Sequence, residues 1–213
     1  MAEFTSQTIR KPYSKLFAAF FSGLLVTTAG LYLGQYVPPA LMLPLTIVEI
    51  GMIIMMMFVR KRQSIGYLLM YSFMFISGLT LFTVISYYVS LLGATAVLQA
   101  FAVTTISFGA MAVYTMVSKR DFTFLGNFLF LGLIALVLIG LFNVFFPLPS
   151  MTMLMYSGFG ILIFIGYTLY DFSRLTVHGF TDEDIPIIVV SIYLDFINLF
   201  QFILQFMGFS SRD

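Results

Sequence analysis

The sequence predicts an all-α integral membrane protein of seven transmembrane helices, with helix 7 central and surrounded by helices 1–6. Three observations predict it. The 213 residues are 61% hydrophobic and only 9% charged, whereas a soluble domain carries about 25% charged residues. So few charges cannot cover a water-facing surface of this size. The apolar residues fall into seven runs of a length that suits a bilayer, which requires roughly 20 residues per helix. The seventh run alone carries a polar stripe that is unsuited to face lipid. Residues 1–213 therefore read as a single transmembrane domain, with no soluble domain and no convincing internal repeat.

The runs are justified in turn by their ends. The first, about 16–35, follows a polar stretch and lacks a small-residue cleavage site, so it reads as a retained span. Pro38-Pro39 ends it. The second, 41–59, stops at Arg60-Lys61-Arg62, and Gly93 divides the third, 65–87, from the fourth, 94–117. Lys119-Arg120-Asp121 closes the fourth, and Pro147 and Pro149 close the fifth, 124–146. The sixth, 150–177, stops at Gly179. Asp182-Glu183-Asp184 precedes the seventh, 186–208, and Thr181 or Asp182 is the candidate N-cap. The short connections make consecutive helices antiparallel neighbours.

Charge placement gives the orientation. Arg10, Lys11 and Lys15 precede helix 1, Arg60, Lys61 and Arg62 follow helix 2, and Lys119 and Arg120 follow helix 4. The loops after helices 1, 3 and 5 hold no Lys or Arg. The positive-inside rule then places the N-terminus and the even-numbered loops in the cytoplasm of a multi-pass protein. A fully spanning helix 7 puts the C-terminus outside, and a re-entrant one returns it.

Composition also narrows the chemistry. The chain has no cysteine, which excludes disulfides and thiolate metal sites, and one histidine, His178, which cannot build a histidine cluster. A net charge of +1 with no basic aromatic surface gives no reason to expect nucleic acid. The Met52–Met57 stretch and the many phenylalanines read as packing material.

Two aspartates stand out. Asp171 lies in YTLYDFSRL and Asp195 in SIYLDFINLF. A carboxylate in a membrane span is kept mainly where it binds a proton or cation or lines a water-filled path. Counted from the helix 6–7 connection, Asp171 is roughly 10 Å deep and Asp195 about 15 Å. The two are therefore expected to meet, sharing a proton or holding a cation between them. Two separate acids, each neutralised by its own partner, is the alternative. Asp195, Asn198 and Gln205 fall near one helical face, which is why helix 7 is expected at the centre. Glu49 is the one other acid inside a span and forms a secondary polar site. Arg60 shares its face three turns on and is a candidate latch for Asp171, since an arginine holds a carboxylate bidentately; the alternative is a charge that snorkels to the interface. His178, beside Gly179, reads as a partner for the helix 6 dipole.

These residues carry a resemblance. The seven spans, the YDFSRL segment, the IYLDFINLFQFIL of helix 7 and the SKRDFTFLGNFLFLGLIAL of residues 118–136 resemble the Bax inhibitor-1 family, the transmembrane Bax inhibitor motif group. The likeness covers nearly the whole chain, and its size resembles that of bacterial members. It implies a pH-sensitive calcium leak in the cell membrane, in which Asp171 and Asp195 match the paired acids that sense protons and bind calcium. Glu49 and Arg60 fall where the family has polar helix 2 residues. No enzymatic activity and no organic cofactor is implied. The partners are the bilayer, calcium and protons; protein partners stay open.

Three other readings use the same residues. A proton-coupled cation exchanger could employ the same aspartate pair. An intramembrane aspartyl protease also sets two aspartates on adjacent spans, one after a tyrosine as in Tyr170-Asp171. Its second aspartate, however, follows a Gly-x-Gly pattern, and Asp195 follows Ile-Tyr-Leu. A regulatory scaffold is the fourth reading, separable by whether the purified protein alone changes the calcium permeability of liposomes.

Overall fold

The computed structural model describes residues 13–59 and 63–211, and every regular element among them is helical. Seven long helices run α1 (Tyr13–Gly34), α2 (Met42–Val59), α3 (Gln63–Leu92), α4 (Ala94–Ser118), α5 (Gly126–Phe145), α6 (Ser150–Val177) and α7 (Ile185–Ser210). All seven are long and apolar enough to cross a membrane. Short 3₁₀ turns at Pro39–Leu41, Thr123–Leu125 and Asp182–Asp184 lead into α2, α5 and α7.

The breaks use the residues that mark them in the sequence. Gly93 adopts φ 85° between α3 and α4, a left-handed conformation that glycine takes without a Cβ clash. Lys119 ends α4 at φ 52°, with its N–H donating to the Thr115 carbonyl. Pro149 caps α6, and Gly179 follows it at φ 72°. Thr181 caps the turn before α7: the Asp184 carboxylate accepts from both the N–H and the hydroxyl of Thr181, at 3.1 and 2.9 Å. α3 extends five residues beyond the predicted run. Its polar end remains helical because Ser86 and Ser90 donate back to the carbonyls of Phe82 and Tyr87, both at 2.7 Å.

α7 is the most buried of the seven helices and α2 the least. α1, α3, α4 and α6 pack directly on it. The expected ring of six is thus an inner layer of four, with α2 packed chiefly on α3 and α5 chiefly on α6. The α1–α3 crossing is the tightest, because the backbones themselves meet. A Cβ on Gly78 would lie 2.2 Å from the Thr27 carbonyl oxygen, and one on Gly30 would lie 2.2 Å from that of Phe75. Small residues permit such approach between membrane helices, where packing replaces the hydrophobic drive. At the α6–α7 connection, Lys15 pairs with Asp182, and the Tyr13 hydroxyl donates to the Leu175 carbonyl at 3.2 Å.

Candidate functional site

Asp171 lies six residues before the end of α6 and Asp195 ten residues after the start of α7. The antiparallel pairing brings both to the α6–α7 interface with an offset of one helical turn. Asp171 is level with Ser191, whose hydroxyl donates to its Oδ2 at 2.5 Å. Ser191 is four residues before Asp195, so Asp195 sits about 6 Å deeper along the helix. Asp171 thus accepts its hydrogen bond from Ser191, one turn from Asp195 on α7. Tyr167 lies one turn deeper than Asp171 on the same face of α6.

Asp195 is 5% exposed, and its Oδ2 is buried without a hydrogen-bond partner among the described residues. A native structure rarely leaves such an atom orphaned, and each case requires a reason. Phe196 and Ile197 beside it are buried too, and Phe108 makes edge contacts with Phe172 and Phe196 at 5.8 and 5.4 Å. Aromatic packing therefore holds the α6 and α7 segments that carry the two acids.

Polar cavities flank Asp195 along α7. A cavity of about 210 Å³ at the α6–α7 connection is lined by Asp171, Arg174, Asp184 and Ser191. On the other side, Asn198 and Gln201 line two cavities of about 400 and 380 Å³. Glu49 faces the first of these, and its Oε1 accepts a hydrogen bond from Thr80 at 2.8 Å. Gln205, Asn143 and Tyr156 line the second. The polar stripe of helix 7 thus lines cavity walls, and Glu49 occupies a place of its own, away from Asp171.

The remaining sequence candidates separate. Arg60 lies outside the described residues. His178 is exposed and ends α6, its N–H donating to the Arg174 carbonyl at 3.0 Å. Asp184 serves the helix cap, and Asp182 holds Lys15. No group of three or more acidic or histidine side chains suited to a metal ion occurs among the described residues. Calcium takes six to eight oxygens in a tight site. Two carboxylates and a hydroxyl suit an ion that keeps part of its water shell.

Ser191, a polar residue of helix 7, and Tyr167 carry no role at the aspartates in the sequence reading. Ser191 and Tyr167 each stand four residues before an aspartate. That spacing puts them on the same helix face as the acids, and it is the signal that could have marked them.

Fold and site together define a polytopic membrane protein with two acids at the interface of α6 and α7. The family described as "Inhibitor of apoptosis-promoting Bax1" matches residues 7–212, and the chain belongs to this Bax inhibitor-1 family. It is 34% identical to an uncharacterized protein of Campylobacter jejuni, over 96% of this chain and 89% of that one. A vaccinia virus protein called "Golgi anti-apoptotic protein" is 32% identical, over 96% and 86%. "Bax inhibitor 1" of Schizosaccharomyces pombe is 36% identical over 67% of this chain and 52% of its own length.

Proposed function

We propose that the protein is a pH-sensitive calcium leak channel of the plasma membrane, its N-terminus in the cytoplasm. The observation that carries this reading is the orphaned carboxylate oxygen of Asp195, buried between polar cavities on either side. Asp195 is the barrier between the two wet ends. A carboxylate there either holds a proton and is neutral, or is ionised and attracts a cation. Asp171, held by Ser191 at the near cavity, is the relay into which protons and calcium first enter. Because the two acids are one turn apart, charging one disfavours charging the other, and the pair responds to pH as a unit. Beyond Asp195, the amides of Asn198, Gln201 and Gln205 offer oxygens to a partly hydrated ion. Glu49 adds a negative charge, or a proton, to that wall.

Calcium flux in proteoliposomes, followed from pH 5 to 8, tests the reading. Asp171→Asn and Asp195→Asn keep size and polarity but cannot titrate. Each is expected to flatten the pH dependence, Asp195→Asn the more strongly because no described group substitutes for it. The reading fails if both variants retain the parent profile.

A further inference from the structure

A second cavity has a different character. At about 640 Å³ it exceeds each of the three cavities along α7, and it lies in the cleft between α1 and α4, walled by both and floored by α7. Its lining is almost wholly apolar. The hydroxyls that reach it, on Thr27, Thr28 and Thr105, are turned onto carbonyls of their own helices. No unpaired donor is offered to water or an ion, yet an unfilled apolar void forfeits its packing contacts.

The length of the cleft and the charge at one end select the occupant. On α1 the cleft runs from Leu16 to Leu31, about 22 Å at 1.5 Å per residue. That is long enough for an extended lipid tail, which reaches only half-way across a hydrocarbon core about 30 Å thick. Moving a lipid tail from bilayer to cleft gains no hydrophobic energy, because both are apolar. Preference must therefore come from the head group. At the Leu16 end, the α4 wall finishes at Met116, and Lys119 follows one turn later on the same face, with Arg120 beside it. Both are exposed, and neither pairs with an acid among the described residues. The neighbouring Asp121 is engaged by Thr123, whose N–H and hydroxyl donate to its Oδ1 at 2.8 and 2.6 Å. Lys15, next to Leu16, is already held by Asp182.

We infer that the α1–α4 cleft binds one acyl chain of an anionic phospholipid whose phosphate lies against Lys119 and Arg120. The site is separate from the aspartate cavities and does not depend on calcium transport. The bound chain lies against Phe172 and Phe196, the neighbours of Asp171 and Asp195, so it supports the helices that carry the acids from behind.

Gly109 supplies the test. It lines the cleft, and a Cβ built there meets nothing within 4 Å, so a larger side chain enters the void without a clash. The full chain is equilibrated with phosphatidylglycerol and phosphatidylcholine of identical tails, and retained lipid is counted by native mass spectrometry. The parent is expected to keep one phosphatidylglycerol in preference to phosphatidylcholine. Gly109→Leu, and independently Val113→Trp at an exposed cleft position, should each reduce retention of both lipids about tenfold. The double variant Lys119→Gln, Arg120→Gln should lower the preference for phosphatidylglycerol at least about fivefold, from the attraction of basic side chains to anionic lipid, and leave phosphatidylcholine retention unchanged. Equal retention of the two lipids by the parent overturns the proposal, as does undiminished retention in both plugged variants. So does a lipid-free dimer that either plug converts to monomer, since the occupant is then a second copy of the chain.

Discussion

Ser191 determines how Asp171 is held. Its hydroxyl donates to the carboxylate from the facing helix, and a donor of this kind favours the ionised form. A hydrogen bond to a charged group contributes about 1.5–3 kcal/mol. Ser191→Ala is therefore expected to move the pH midpoint of calcium flux upward by about one unit, with a smaller effect on the maximal rate. An unchanged midpoint would show that Asp171 is not the titrating relay. The aspartates themselves were legible because a charge inside an apolar run is conspicuous at any register. Their partners were not. That Asp171 stands level with Ser191 depends on a register of four residues, within the uncertainty of helix ends read from hydropathy. The turn at Asp182–Asp184 and its Thr181–Asp184 cap set that register.

At the scale of elements, the helices were legible almost throughout, since prolines, glycines and basic clusters mark their ends. The hydrophobic run of α3 understated its length because serines that bond to their own helix are counted as polar. The inner and outer layers were only half legible: the polar stripe identified α7 as central, while α2 and α5 are marked as outer only by being the most hydrophobic of the six helices around it. Gly30 and Gly78 are likewise silent in one dimension, because their role appears only when α1 crosses α3. Gly78→Ala places a Cβ against the Thr27 carbonyl, which as backbone cannot swing aside. It is expected to destabilise the protein by about 1–3 kcal/mol through overpacking. Gly51→Ala is the control: on α2 its Cβ meets nothing within 4 Å, and the gain in helix propensity makes it neutral or slightly stabilising. Thermal unfolding in one detergent compares them. Equal midpoints for the two variants would remove the close α1–α3 approach from the account of stability.

For the whole molecule, the question is whether calcium passes down its own gradient or is driven by protons. Both readings use Asp171 and Asp195, and they differ in what must move. An exchanger exposes its site to one side at a time, commonly by rocking one structural repeat against another. The chain has no repeat that we recognise, and α7 is one continuous helix with polar cavities on both sides of Asp195. A local change at Asp195 suffices to join those cavities; no exchange of halves is needed. Liposomes loaded with equal calcium inside and out, with the membrane potential clamped, are given a pH step of one unit. Obligatory exchange can raise the calcium ratio about tenfold for each proton exchanged per ion. A leak changes its rate but moves no net calcium, because no calcium gradient exists. We expect no accumulation, and a faster or slower equilibration of isotopic calcium according to pH. Sustained uphill uptake that disappears in Asp195→Asn would instead make the same carboxylate the coupling site of an exchanger.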